Sequence, residues 1–110
     1  MGYRYKTFLK GRNVYMCGRC GTHLTTKESL VSKNYQGKYG RAHLYKKVVN
    51  VSEGVHEERS MTTGVHVVCD VNCAVCFEYI GWKYISAFEK DQKFKEGKYI
   101  LERNLIKNIR

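Results

Sequence analysis

Apolar and polar residues alternate along several stretches of this chain with the period of two that marks a half-buried strand. Residues 41–45, 48–51, 65–71, 80–85 and 99–106 are the predicted strands. In the third, Val65, Val67, Cys69 and Val71 share one face, while His66, Val68 and Asp70 share the other. Helical periodicity is brief. Thr25-Thr26-Lys27-Glu28 has the form of a capping box ahead of Ser29-Leu30-Val31, and residues 87–95 are the other helical candidate. With no proline, no repeat and no low-complexity tract, the ten glycines must supply the turns, and nothing reads as a linker. The pattern predicts a mainly β fold in one domain over residues 1–110, a length with no room for a second independent core.

Composition narrows the class. Hydrophobic residues make up 43% of the chain, with nine tyrosines, enough for a modest core. No run approaches the length of a membrane span, and the opening residues lack the apolar stretch of a signal peptide, so a soluble intracellular protein of nucleus or cytoplasm is expected. Gly2 does not fit a myristoylation site, since Lys6 stands where that motif needs Ser or Thr. The formal charge of +10 attracts acidic partners, but the lysines and arginines are scattered rather than clustered.

The five cysteines change the picture most. Four form two Cys-x-x-Cys pairs, Cys17/Cys20 and Cys73/Cys76, separated by 52 residues. In a reducing compartment, two such pairs point to a metal rather than to disulfides. Zinc takes four ligands in a tetrahedron, and each Cys-x-x-Cys turn offers two sulfurs on one side with backbone N–H groups directed at them. Gly18 and Gly21 suit the first turn. The expected ion is one structural Zn²⁺ clamping a long loop, because four cysteines leave no open position for a catalytic water. A thioredoxin-like redox pair is the alternative, but it needs a βαβ setting this chain does not offer. His23, His43, His56 and His66 then read as packed or surface residues. Cys69, on the apolar face of its strand, reads as a small buried hydrophobe rather than a reactive thiol.

The Cys-x2-Cys-x52-Cys-x2-Cys spacing resembles the signature of the Yippee-like proteins. Other blocks agree in order: Ser32-Lys33-Asn34-Tyr35-Gln36-Gly37, Gly40-Arg41-Ala42-His43-Leu44-Tyr45, Glu57-Glu58-Arg59, Thr63-Gly64-Val65-His66, Gly81-Trp82-Lys83-Tyr84 and Lys95-Glu96-Gly97-Lys98. The resemblance runs from about residue 6 to the C-terminus and implies a β-tent, in which two antiparallel sheets are pinned at one end by a zinc. The ligand-binding domain of cereblon is similar in fold, with a pocket walled by several tryptophans. Here Trp82 is the single tryptophan, with Tyr84 on the same strand face. A cage needs aromatic walls on more than one side.

The sequence offers no nucleophile and base pair, no paired carboxylates and no phosphate loop, and the expectation is a non-enzymatic module. The resemblance implies an adaptor that holds a protein partner, with a link to a multisubunit ubiquitin ligase of the glucose-induced-degradation type. Trp82, Tyr84 and His66 are the candidate partner- or ligand-contact residues. Three alternatives stay open. One is a small-ligand site. Another is nucleic-acid binding through a basic aromatic surface of Tyr3, Tyr5, Tyr35, Tyr39, Tyr45 and strand 41–45. The third is an enzyme similar to methionine sulfoxide reductases, for which Cys69 is the sole candidate nucleophile.

Overall fold

The computed structural model describes residues 7–11 and 13–108. Ten strands form two antiparallel sheets. The smaller joins β1 (Val14–Cys17) to β2 (His23–Thr26) on one side and β10 (Ile106–Asn108) on the other. The larger runs β3 (Leu30–Gly37), β4 (Gly40–Tyr45), β9 (Tyr99–Glu102), β8 (Tyr79–Ala87), β7 (Gly64–Cys73) and β5 (Val51–Glu53). β6 (Glu57–Met61) also pairs with β7. The two-sheet expectation holds.

The long central strands fall where alternation put them, and two predictions are corrected. Residues 48–51 contribute only Val51 to a strand, because Asn50 adopts a left-handed backbone with φ 60°. Its side chain there donates to the Thr7 and His23 carbonyls, which ties this loop to β2 and to the segment before β1 and ends the extended run. Residues 99–106 do not form one strand. After Glu102 a 3₁₀ turn, Arg103–Leu105, carries the chain out of the large sheet, and Ile106 begins β10 in the small one.

The helical candidates also shrink to single turns. Thr25 and Thr26 close β2, and the Thr25 hydroxyl donates to the Lys47 carbonyl instead of capping a helix. Only Lys27–Ser29 turns, as 3₁₀. Of residues 87–95, Ala87 ends β8 and Lys90–Lys95 forms a 3₁₀ segment.

Two cores lie on opposite faces of the large sheet. Consecutive residues of β4 and β9 point to opposite sides. Tyr45 and Leu101 pack toward the small sheet with Leu24, Val71, Ile80 and Ile106. Leu44 and Ile100 pack the other way with Ala42, Val68, Trp82 and Tyr84. β7 is covered on both faces: Cys69, Val71 and Cys73 are buried on one side, His66 and Val68 on the other. Each fully buried aliphatic side chain contributes about 2 kcal/mol of burial free energy before entropy is charged against it. Gly81, paired with Val71 and Leu101, is obligatory, since a Cβ there would overlap the Ile100 carbonyl.

Candidate metal centre and binding cavity

Cys17 ends β1 and Cys73 ends β7, so the first cysteine of each pair belongs to a different sheet. The two turns that follow repeat one geometry. The Cys17 N–H donates to the Thr22 carbonyl, and the Gly21 N–H to the Cys17 carbonyl. In the second turn the Cys73 N–H donates to the Glu78 carbonyl and the Phe77 N–H to the Cys73 carbonyl. Both turns close through a left-handed residue four places after the first cysteine, Gly21 at φ 78° and Phe77 at φ 66°.

These turns bring the four sulfurs together. Cys17 Sγ lies 3.6 Å from Cys76 Sγ, and Cys20 Sγ lies 3.6 Å from Cys73 Sγ. All four sulfurs are within 4.8 Å of one another. A tetrahedron with metal–sulfur bonds of about 2.3 Å has edges of about 3.8 Å, so the cluster fits one ion. No pair is close enough for a disulfide, and all five cysteines are free. An Arg19–Glu78 ion pair of 2.9 Å links the two turns at the surface. It contributes at most about 1 kcal/mol.

The thiols are also unequal. Burial opposes ionisation at Cys20, yet the hydroxyl and backbone of Thr22, together with neighbouring thiols, outweigh it and bring its pKa down to about 6. Burial pushes Cys76 up to about 12 and raises Cys17 as well. A bound dication favours the thiolate at all four. None of the four histidines joins this cluster.

A family model described as Yippee zinc-binding/DNA-binding/Mis18, centromere assembly, matches residues 13–110. The chain belongs to the Yippee-Mis18 family. A potato protein named protein yippee-like is 50% identical over 103 residues, covering 94% of this chain and 79% of its own. Human protein yippee-like 3 is 51% identical over 90 residues, 82% of this chain and 76% of that one. The crystal structure of a Mis18 'Yippee-like' domain superposes with a TM-score of 0.68, covering 88% of this chain and 94% of that one at 16% identity. At that identity the likeness concerns the fold alone. As a Yippee-Mis18 domain, the chain brings the cysteine cluster to the seam between its sheets, where the four sulfurs could hold one metal ion.

On the opposite face of the large sheet lies a cavity of about 620 Å³. Its walls come from the β3–β4 hairpin, β6, β8 and the 3₁₀ segment Lys90–Lys95. Two of the three residues singled out from sequence line it. Trp82 is 8% exposed and Tyr84 2% exposed, their rings 6.3 Å apart and near perpendicular. Burial pushes the Tyr84 phenol up to about 12, offset in part by the nearby indole. The indole N–H nevertheless reaches no hydrogen-bond partner among the described residues. His66 is fully buried behind Tyr84, with ring centroids 5.2 Å apart, and is not part of the lining. Its Nδ1 lies 3.0 Å from the Gly64 carbonyl, and its Nε2 has no partner. These residues therefore do not form an open contact face; Trp82 and Tyr84 are reached through the cavity.

Sequence reasoning missed other residues of this cavity. Lys95 is 3% exposed, and its ammonium lies 5.3 Å from the Tyr35 ring and 5.1 Å from the Tyr84 ring. Nothing in the lysine-rich run 90–98 distinguishes it from its exposed neighbours. Glu102, fully buried, accepts from the Lys38 and Tyr39 N–H groups and from the Tyr79 hydroxyl. Gly37 leaves room for that carboxylate, where a Cβ would collide with it.

Cys69 is fully buried and lies with Glu53 and His56, their ligand atoms within 4.8 Å of one another. Burial raises its thiol pKa, the reverse of what activates a nucleophile. The Glu53 carboxylate accepts from Lys83 at 3.1 Å. Of the tyrosines proposed for a basic stacking surface, Tyr3 and Tyr5 lie outside the described residues. Tyr45 is buried in the core beside the cysteine cluster, Tyr35 is half-buried at the cavity, and Tyr39 is exposed. Among the described residues, no helix is long and apolar enough to cross a membrane.

Proposed function

We propose that this chain is a non-enzymatic interaction module, pinned by one structural Zn²⁺ on Cys17, Cys20, Cys73 and Cys76, that takes a group of a protein partner into the Trp82/Tyr84 cavity. The observation that carries this reading is the separation of the two sites. A four-thiolate ion has no position left for substrate, while the cavity on the far face of the sheet is lined by Tyr35, Trp82 and Tyr84 and holds the buried Lys95 ammonium, which has no carboxylate partner among the described residues. By family resemblance the partner is a multisubunit ubiquitin ligase of the glucose-induced-degradation type, and the setting is nucleus or cytoplasm.

The test is capture from cell extract with wild type and a Ser60→Tyr variant. Ser60 is an exposed strand residue of the cavity wall, so the larger side chain narrows the cavity without entering the core. Both proteins must first be shown to carry one zinc. Recovery of ligase subunits by wild type and their depletion with Ser60→Tyr supports the reading. Equal recovery by both removes the cavity from it, and recovery of no ligase subunit by either removes the ligase.

DNA binding, which the family description names, is the second reading, and the observation behind it is the charge of +10. It requires an affinity that falls steeply with added salt.

A further inference from the structure

The cavity contains its own cation. Tyr35 and Tyr84 present ring faces at distances suited to holding an ammonium, and the ammonium they hold is that of Lys95. Its one hydrogen bond among the described residues goes to the Thr63 hydroxyl at 3.0 Å, and no carboxylate reaches ion-pair distance. An ammonium carries three donors. Burial accordingly lowers the Lys95 pKa, with distant Asp91 opposing. Burying an unpaired charge is costly, and a protein that keeps one beside an open cavity retains a site for its counter-charge.

The rest of the lining agrees. Arg59 and Lys38 also border the cavity, and no aspartate or glutamate does. Arg59 is already neutralised by Glu57 and by Asp70 at 3.1 Å, and Lys38 lies over the Tyr79 ring at 4.6 Å. Lys38 is exposed to water, so Lys95 is the buried lining cation with unused donor capacity, and the Trp82 indole packs edge-on against the Tyr84 ring beside it. A cationic guest would meet like charge where its aromatic cage is already filled. A guest with acceptor oxygens and negative charge meets the two unused donors of Lys95 and aromatic walls.

We propose that the cavity recognises a carboxylate: the Lys95 ammonium supplies the opposite charge and two unused donors, and Tyr35, Tyr84 and Trp82 the walls against which the carrier packs. This rests on the reading of the cavity as the binding site, and it names the chemistry that enters it.

Trp82 is the chain's single tryptophan, so its indole N–H resonance and its fluorescence both report on this cavity alone. Zinc-loaded protein is titrated with phenylacetate, with the neutral isostere phenylacetamide, with choline, and with one short peptide carrying either a free or an amidated C-terminus. Saturable movement of the indole signal by phenylacetate, at least tenfold weaker for the amide and absent for choline, is the expected result. Lys95→Met, which keeps the length of the side chain and loses its charge, must erase that tenfold preference while leaving the remaining N–H spectrum folded. Tighter binding of the free-carboxylate peptide than of phenylacetate assigns the source to a polypeptide; the reverse assigns it to a small acid. Binding that ignores charge, a preference for choline, no binding by either carboxylate, or a preference that survives in Lys95→Met overturns the proposal. Ligase recovery equal to wild type with Lys95→Met, but lost with Ser60→Tyr, would leave the interaction reading standing while refuting the carboxylate.

Discussion

The two faces of the large sheet are built on different terms. Toward the small sheet, Leu24, Val71, Leu101 and Ile80 are sealed from water and the cysteine cluster closes the seam. On this side two buried polar atoms lack a partner among the described residues, the Tyr45 hydroxyl and the Asn108 Oδ1 of β10. Toward the cavity, six buried apolar residues share their face with Lys95, Glu102, His66 and the Trp82 N–H. Glu102 is fully satisfied; Lys95, His66 and Trp82 are not. The two sides thus differ in charge: the cavity face buries Lys95 and Glu102, charged groups that a purely structural core would not retain.

The sharpest way to break the comparison is at the clamp. Cys73→Ser, or zinc withdrawal by a strong chelator, should cost most of the fold, about 4 kcal/mol or more, because an ion held by the four cysteines would join strands of different sheets. Circular dichroism with a zinc assay checks this. A cooperative melt within a few degrees of wild type would contradict the clamp.

Glu102→Gln, on the cavity face, should cost about 2 kcal/mol. An amide nitrogen cannot accept from the backbone and hydroxyl donors that Glu102 satisfies. Urea denaturation measures the loss, and a neutral effect would mean these bonds are replaceable.

Lys95→Met should go the other way, keeping or raising stability by up to about 1 kcal/mol at pH 7. The sign follows from its lowered pKa. The folded state binds that proton less well than the unfolded state, so the penalty is present at neutral pH and vanishes above the unfolded lysine pKa of about 10.4. The advantage of the variant over wild type should therefore disappear as pH is raised past that point. A variant less stable at pH 7, with the deficit persisting at alkaline pH, would make Lys95 a structural residue.

The smallest effect separates the two cysteine turns. Phe77 holds the left-handed position that Gly21 holds in the first turn, and its ring is 70% exposed. Phe77→Gly should stabilise by about 0.5–1 kcal/mol and Gly21→Ala destabilise by a similar amount, both read from thermal melts of zinc-loaded protein. Opposite signs would show that the ring packs in a way its exposure does not suggest.

Strand alternation and the doubled Cys-x-x-Cys were legible because each rests on a local rule: a period of two for a half-buried strand, and a fixed spacing for two sulfurs on one ion. β1 and β2 are four-residue strands, too short to display a period. β3 and β6 contain no fully buried side chain and so show no apolar face. The split after Glu102 was hidden for another reason, since alternation continues across a point where the chain changes sheets.

What the sequence by itself determined, then, is the four-cysteine cluster, the β class and the long central strands, all consequences of residue type at fixed spacing. Only the tertiary structure decided that the cluster joins two sheets, that Trp82 and Tyr84 line a cavity rather than an open face, and that Lys95 is buried between tyrosine rings without a carboxylate. Those facts depend on segments far apart in the chain meeting across a sheet, and neither burial nor the loss of a counter-ion is a property a residue carries on its own.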